Sequence, residues 1–540
     1  MSQTSYASKR LDHHGIVAGV CKDFKIAELI DQKISAGPCK KVSYGEATVA
    51  MIINMLGFTS RPLYLTAEFF KNKPNGLIRD DLEWSELNDD CLGRTLDKLY
   101  ESGVTEIFSE LASSALHALN IDVKYAHLDS SSFSLTGEYK VSEEDDRQAM
   151  KITRGYSKDH RPDLKQACLS MICEHSSNIP IWMEALDGNQ SDVKSFSETI
   201  SRFCSQMRES KMPIMVMDAA FYSKANLHEH REQSWVTRAP EKIKELQHHY
   251  SELRDDDEGW VQGDQLRYHV STTHYGGVEQ RWITVESLSK KTRDHQALQR
   301  KVDAEYRKVS ATLKKLSKQD FACEKDADLA LDQLAETLKF HDLDEVEIIE
   351  HKKYKDAGRP TSSSSFNSTW HPHAVPVIND DFICDAQQGL GRYTIATNCL
   401  NDELSPDQLI ALYKSQGVTV ERGFRFLKDP MFFADSIFLK NPSRIMALMM
   451  VMTLSLLIYS IAEYQLRESL HKRGETIPNQ SGKPTTKPTM RRIFQLFEGI
   501  EILQIKTPTG EEKIIMNLDE IRTNLIGLMS DEIKLQYLQN

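Results

Sequence analysis

The sequence predicts an α/β protein: a sheet with helices, preceded by a helical segment and interrupted by a long insertion. Two changes of rhythm carry this prediction. Up to residue 120, apolar residues recur at helical spacing; from 121, short β-like runs alternate with helical ones. Between 241 and 379 that alternation breaks, and it resumes at Arg392. Composition agrees: 540 residues, 40% hydrophobic and 27% charged, with only 17 Pro and 25 Gly, exclude collagenous and wholly disordered chains. At about 150 residues per domain, the length implies roughly three to four domains.

The first 120 residues read as helices. Ser43-Tyr44-Gly45-Glu46 has the form of a capping box opening the apolar run Ala47–Leu56. Asp90–Tyr100 and Val104–Leu119 form two more helices. In the first of these, Leu92, Leu96 and Leu99 share a face with Arg94 and Lys98 nearby, which fits a DNA-reading helix pair or a plain bundle. Val123–Leu128 is a short strand ending at Asp129, and Ser132–Tyr139 a second. Gln166–Cys173 and Ile179–Leu186 form a hairpin, and Asp192–Met207 a helix. Pro213–Met217 is a buried strand stopping at Asp218, with Ser234–Arg238 beside it.

The insertion opens with two or three antiparallel strands over Gly259–Glu286. Lys290–Lys318 follows as a long helix with ten Lys/Arg against three Asp/Glu. An acidic stretch, Asp320–Glu350, and a Ser-rich loop, Thr361–Ser368, complete it. Arg392–Thr397 is again a strand, and Ser405-Pro406 starts a helix with Pro at its first position. Ile445–Ala462 is long and apolar enough to imitate a membrane span; it is the one such run in a chain whose mean hydropathy is −0.47, and with its four Met it reads as a helix buried on all sides. Gly474–Lys487 is a polar linker, followed by a helix, a hairpin around Thr507–Gly510 and a final helix.

Acidic residues outnumber basic ones 79 to 67, giving a net charge of −12. This excludes a polybasic protein but not a nucleic-acid enzyme, whose phosphate grip depends on local Lys/Arg clusters. The nine cysteines, Cys21, Cys39, Cys91, Cys168, Cys173, Cys204, Cys323, Cys384 and Cys399, are scattered without a C-x-x-C pair, as expected of reduced thiols in a cytoplasm. No signal peptide opens the chain. The pairs His13-His14, His228/His230 and His248-His249 lack zinc-site spacing and read as surface histidines. No phosphate-binding G-x-x-x-x-G-K-[ST] is present, so ATP use is not expected. Ser130–Ser132 has no G-x-S-x-G context and reads as a turn.

Two strands each end in an aspartate, Asp129 and Asp218, at the sheet edge where α/β folds bind ligands. Alone, either reads more readily as a turn or helix cap. Glu421 follows on the helix after the last strand, where a solvated face is the ordinary reading. Three carboxylates on one edge fit two divalent metals, because hard cations prefer oxygen ligands.

The segment Tyr413 to Lys428, with Gln416, Glu421 and Arg425 inside it, resembles the Tyr–Arg–Glu–Lys signature of the DDE insertion-sequence transposases. Glu421 to Lys428 has the family spacing, and seven residues place both on one side of a helix. Two departures stand out: Gln416 occupies the place expected for Arg, and the Tyr413–Glu421 distance is one residue longer. The segments Gly155–Gln166, Gly188–Asp192 and Trp235–Arg238 are similar to further family blocks, in order. An insertion between the second Asp and the Glu is also a family trait.

The resemblance implies an RNase H-like catalytic domain in two parts, 121–240 and 380–472, split by the insertion domain, 241–379. It also implies a helical amino-terminal domain for DNA ends, 1–120, before the linker and small carboxyl-terminal domain, 473–540. Asp129, Asp218 and Glu421 would hold two Mg2+, with Mn2+ as substitute, to nick double-stranded DNA at terminal inverted repeats and join it to target DNA. Lys428, Arg238 and Arg425 would grip phosphates, with Tyr413, Lys158, His160, Arg161 and Lys165 as further DNA contacts. An aromatic of the insertion, foremost Trp370 on its loop rather than Trp260 or Trp282, would stack on a displaced base. A homodimer on DNA in a bacterial cytoplasm, with neither membrane nor ATP, completes the expectation. A nuclease that cuts without joining and an inactive DNA-binding relic are the alternatives.

Overall fold

The computed structural model describes residues 4–34, 41–58, 63–137, 139, 149–206, 212–253, 258–354, 365–387, 389–401, 403–431, 439–508 and 510–538. Cys39 and residues 361–364 of the Ser-rich loop lie outside the described residues. The eight described cysteines are free thiols. The chain divides into two compact units: 1–237, 274–279 and 397–540 form the first, and 238–273 with 280–396 the second.

The first unit begins with strand β1 (Ser5–Arg10) and helices α1 (His14–Asp23), α2 (Ile26–Lys33), α3 (Tyr44–Met55), α4 (Thr66–Phe70), α5 (Asp89–Glu101) and α6 (Val104–Ala118). Helix α3 carries the expected capping box, Ser43 with Glu46. In α5, Leu92, Leu96 and Leu99 are buried while Arg94 and Lys98 face outward. His13 and His14 are not surface residues. Both are buried, bonded to the carbonyls of Leu56 and Leu11, and His13 stacks on Phe494. Ring carbon lets imidazole pack as an aromatic once one nitrogen is satisfied.

A sheet follows: β2 (Tyr125–Leu135), β3 (Lys165–Glu174), β4 (Pro180–Leu186), helix α7 (Asp192–Gln206), β5 (Ile214–Met217), helix α8 (Lys224–Glu229) and β6 (Trp235–Ala239). Its order is β4-β3-β2-β5-β6. Strands β2, β3 and β4 pair antiparallel, whereas β2–β5 and β5–β6 are parallel. This is the sheet with helices that the sequence predicts. One expectation fails: Val123–Leu128 and Ser132–Tyr139 are not two strands. Strand β2 runs through Asp129 to Leu135, because its ladder with β3 continues from Ala126↔Glu174 to Leu135↔Lys165. Only the parallel partner β5 stops, after Leu128↔Met217.

The second unit holds α9 (Lys244–Glu252), β7 (Trp260–Gln262), β8 (Leu266–Tyr275) and β9 (Val278–Ser287), with the tips of β8 and β9 in the first. It continues through α10 (Leu288–Leu316), α11 (Glu324–Ala335), β10 (His341–Tyr354), β11 (Phe366–Ile378), α12 (Asp380–Gln387) and β12 (Arg392–Thr397), whose last residue belongs to the first. Helices α10 and α11 pack on the β10–β11 hairpin around Val309, Leu313 and Leu331. Trp260 and Trp282 are core residues, 8% and 1% exposed.

The chain then returns to the first unit with α13 (Pro406–Lys414), a 3-10 turn Ser415–Val418, and α14 (Val420–Leu427). Ser405 caps α13 with Pro406 at its start. Helix α15 (Pro442–Arg473) contains the membrane-like run, and 94% of its most apolar window is buried within the protein. It packs against α1, α3, α5, α6, β4 and α14, which explains its lack of a polar face. The expected polar linker contains a small pairing, β13 (Ile477–Pro478) with β14 (Pro484–Thr485). After α16 (Met490–Phe497), β15 (Glu501–Thr507), β16 (Gly510–Met516), α17 (Glu520–Gly527) and α18 (Asp531–Tyr537) end the chain. Strand β15 pairs with β1 as well as β16, and α18 packs on α1, so these terminal segments share one structure.

Candidate active site

The parallel register of β2 and β5 builds the centre of the site. It pairs His127 with Val216 and Leu128 with Met217, so Asp129 and Asp218 are the next facing positions. Adjacent strands lie about 4.8 Å apart, and residues facing each other across a parallel pair project to the same side. The two aspartates therefore stand together where β5 ends and the sheet edge opens.

Local bonds hold each in place. Asp129 Oδ1 accepts the N–H of Ser130 at 2.7 Å, and Asp218 Oδ1 accepts that of Ala220 at 2.8 Å. Thr237 Oγ1 on β6 donates to the Asp218 carbonyl at 2.7 Å. Burial pushes the Asp129 carboxyl up to about 7; Asp218 and Asp192 push the same way, against Lys158 and the Ser130 N–H. Burial also raises Asp218, reinforced by Asp192 and Glu421 and opposed by the Ala220 N–H and Lys158.

Glu421 sits in the first turn of α14, exposed, and its charge is felt at Asp218. Helix α14 can lie close to β3 because position 423 is glycine: a Cβ there would come within 2.7 Å of Met171 and 3.1 Å of Leu456. Arg422, the next residue, pairs with Glu463 of α15 at 2.7 Å and fixes the helix about its axis. Gln416, at the place expected for Arg, is buried, and its Nε2 lies 3.4 Å from the Leu128 carbonyl. It ties the turn before α14 to β2, one residue ahead of Asp129.

The segments 155–166 and 188–192 meet at Gln166. Its Nε2 donates to the carbonyls of Tyr156 at 3.1 Å and Gly188 at 2.6 Å. Gly155 and Gly188 are needed there, since a Cβ on either would lie about 2 Å from a backbone oxygen, at 2.2 and 1.9 Å. This junction delivers Lys158 and Asp192 to the acids. Lys158 Nζ lies 3.2 Å from Asp192 Oδ2, 3.9 Å from Asp129 Oδ1 and 2.6 Å from the Ser130 carbonyl. Burial disfavours its ammonium, but Asp129, Asp192 and Asp218 outweigh that and raise its pKa.

The remaining basic candidates have partners of their own. Lys428 Nζ pairs with Asp159 at 2.6 Å, and Arg161 forms a double bond pair with Asp163 at 2.7 and 2.9 Å. Lys165 Nζ donates to the Tyr139 carbonyl, and Arg425 Nη2 to the Gly417 carbonyl. His160 is exposed in a left-handed backbone conformation, and Tyr413 is half-buried on α13. Arg238 belongs to the second unit, where it pairs with Glu241 and lies over the Tyr393 ring.

Trp370 also lies in the second unit, and its expected loop position is corrected. It is half-buried within β11, facing Glu350 of β10, and its backbone bonds both ways to Phe321. The strand begins at Phe366, inside the segment read as a loop, because polar Ser and Thr fit the exposed face of a hairpin.

Among the described residues, no three His, Cys, Asp or Glu side chains converge closely enough to hold a metal ion. The donor set nevertheless fits a hard divalent cation: oxygen ligands only, with two neighbouring carboxyls raised by burial and by the charges of nearby carboxylates. A cation between them relieves that repulsion. Asp192, Thr237 and Asp159 were not singled out as site residues from the sequence, and Ser130 was read as part of a turn. Asp192 appeared only as the end of the segment Gly188–Asp192 and the start of a helix.

Comparison with known proteins follows the same lines. Residues 6–113 match a domain of unknown function (DUF4277). No curated protein matches the chain. Among solved structures, it is similar to a cryo-EM structure of a piggyBac transposase synaptic complex with hairpin DNA, with 10% identity and a TM-score of 0.37, over 96% of this chain and 83% of that one. Residues 127–458, more than half of the chain, match the transposase DDE domain. The protein belongs to the DDE transposase family and is a DNA transposase.

Proposed function

We propose that this transposase is encoded by an insertion sequence, nicks double-stranded DNA at terminal inverted repeats, and joins the freed ends to target DNA. The observation that carries the reading is the facing placement of Asp129 and Asp218 at the end of β5, with Glu421 acting on Asp218. These three carboxylates would hold two Mg2+, or Mn2+ in their place. Bound there, such ions would stabilise the charge that develops on the attacking and leaving oxygens of phosphoryl transfer.

The chain's own residues do the rest. Asp129 has to shed its proton to ligate a metal, since burial holds its pKa near 7. Thr237 and the Ala220 N–H keep Asp218 aimed at the edge. Lys428 holds a DNA phosphate after exchanging it for Asp159, with Arg238, Arg425, Tyr413, His160, Arg161 and Lys165 as further contacts. Water attacks the end phosphodiester, the P–O3′ bond breaks, and the 3′ oxygen leaves as a hydroxyl. That 3′-OH then attacks a target phosphodiester, one ester replaces another, and no ATP is needed. Two ends have to be held together, so the working form is a homodimer on DNA, in a bacterial cytoplasm where its thiols stay reduced.

The test uses plasmid carrying the element ends. Asp129→Asn, Asp218→Asn or Glu421→Gln each abolishes cleavage while leaving end binding largely intact. Mg2+ or Mn2+ supports turnover, and Ca2+ supports binding alone. Wild-type cleavage in a single mutant removes that residue from the site, and full activity in excess EDTA ends the two-metal reading. A strand-transfer assay separates this enzyme from a nuclease that cuts without joining.

A further inference from the structure

Lys158 is the one basic side chain described within 4 Å of Asp129. It does not reach there by chance of a flexible stem. Its backbone N–H donates to Ser132 Oγ at 3.0 Å, its Nζ donates to the Ser130 carbonyl at 2.6 Å, and Asp192 holds it at 3.2 Å. Asp192 is itself fixed, accepting Ser130 Oγ at 2.6 Å. Ser130 and Ser132 lie on β2 immediately after Asp129, so the lysine is threaded along the strand that carries the acid. Gly155, Gly188 and Gln166 join the two segments that supply Lys158 and Asp192.

We infer that Lys158 is a built-in counter-ion of the catalytic acids, which pairs with ionised Asp129 in the DNA-free protein and competes with divalent metal for it. Asp192 gives the ammonium a second carboxylate, on which it rests when a metal takes Asp129. The lysine thus sets the metal affinity of the free enzyme rather than supplying a metal ligand. This rests on the reading of Asp129 and Asp218 as metal ligands.

Isothermal titration of Mn2+ into the full-length protein without DNA tests it. Lys158→Gln removes the charge and keeps a donor for the Ser130 carbonyl. Removing a positive charge a few ångströms from the acids should tighten Mn2+ binding by roughly tenfold. Lys158→Arg should bind like wild type. Lys194→Met removes an exposed charge paired with Glu198 and should change affinity less than about twofold. Thermal melts give a second measurement: Lys158→Gln should melt lower than wild type in EDTA, and Mn2+ should raise its Tm by more.

Mn2+ affinity in Lys158→Gln that is equal to or weaker than wild type, with a native melt, overturns the inference. So does a gain no larger than that of Lys194→Met. If Lys158→Gln does not fold, the Mn2+ affinity of Lys158→Arg decides: matching wild type supports the counter-ion, and a tenfold change in either direction overturns it. Asp129→Asn separates the two levels of argument. If it abolishes Mn2+ uptake while Lys158→Gln changes nothing, the counter-ion alone is wrong. If Asp129→Asn binds Mn2+ as wild type does, the metal-ligand reading falls and takes the inference with it.

Discussion

Asp129 holds its proton up to about pH 7, against an ordinary value of 3.8, because burial and two neighbouring carboxyls penalise the charge. Between those values the folded protein keeps a proton that the unfolded chain has lost. Its contribution to stability is therefore fully present below about pH 4 and lost as pH rises through 7. In EDTA, Asp129→Asn should flatten this fall and melt about 2 °C above wild type at pH 7.5, given the size scaling of unfolding entropy. Equal slopes of Tm against pH in the two proteins would show that the group is not strained. For Lys428, the ion pair with Asp159 means that binding DNA exchanges one anion for another. Lys428→Ala should still flatten the log–log salt dependence of end binding by about 0.9, the share of one phosphate; an unchanged slope returns Lys428 to a purely structural pairing. In the sequence, Asp129 and Asp218 stood out as acids after apolar β-like runs, and Glu421 and Lys428 through the resemblance of their segment to the family signature. Asp192 and Asp159 did not, because their partners lie at Ser130 and Lys428, far away in sequence.

Helix α14 owes its setting to two contacts that spacing does not reveal, Gly423 against β3 and Arg422 against Glu463. Glu463 is 6% exposed in its side chain and also pairs with Arg467 at 2.8 Å. Glu463→Ala would leave two guanidinium groups without their buried partner, a loss of about 3–5 kcal/mol. Chemical denaturation measures it, and a loss under about 1 kcal/mol would mean that apolar packing alone fixes the helix. Strand β2 was misjudged because Ser130–Ser132 looks like a turn, while the ladder with β3 overrides local preference. Trp370 was misplaced for the same reason. A base-stacking role for it predicts that Trp370→Ala spares the first nick and slows later cleavage; wild-type rates on pre-nicked ends reject that role. Helix α10 was legible as a long basic helix, and it presents Arg300, Lys301, Arg307, Lys308, Lys314 and Lys315 to solvent, seven residues apart in two adjoining rows. Reversing Arg300, Arg307 and Lys314 to Glu together should reduce the salt slope of DNA binding by up to about 0.9 per lost phosphate contact. An unchanged slope leaves α10 a solvated face.

At the scale of the molecule, the buried spine α15 was foreseen, but the union of the two ends was not. Pairing of Ser5–Arg10 with Glu501–Lys506 leaves no trace in local periodicity. Tyr537 seals this union. Its hydroxyl donates to the Asp12 carbonyl at 2.7 Å and accepts the Ile16 N–H at 3.2 Å, and its ring fills the space over Gly15. Tyr537→Phe should cost about 1–3 kcal/mol by stranding both backbone groups, read by denaturant unfolding; a neutral result would mean that water replaces the hydroxyl. The union also has a consequence in time. Residues 5–10 leave the ribosome well ahead of their strand partner, which follows some five hundred residues later. At about 5–20 residues per second, the amino-terminal lobe waits on the order of 25–100 s with an open edge. Nascent chains halted before residue 501 should be cut by protease within that lobe, and finished chains should resist. Synthesis then acts as a clock: the lobe that holds residues 5–10 closes only once residues 501–506 have been made, so chains broken off before them never set it.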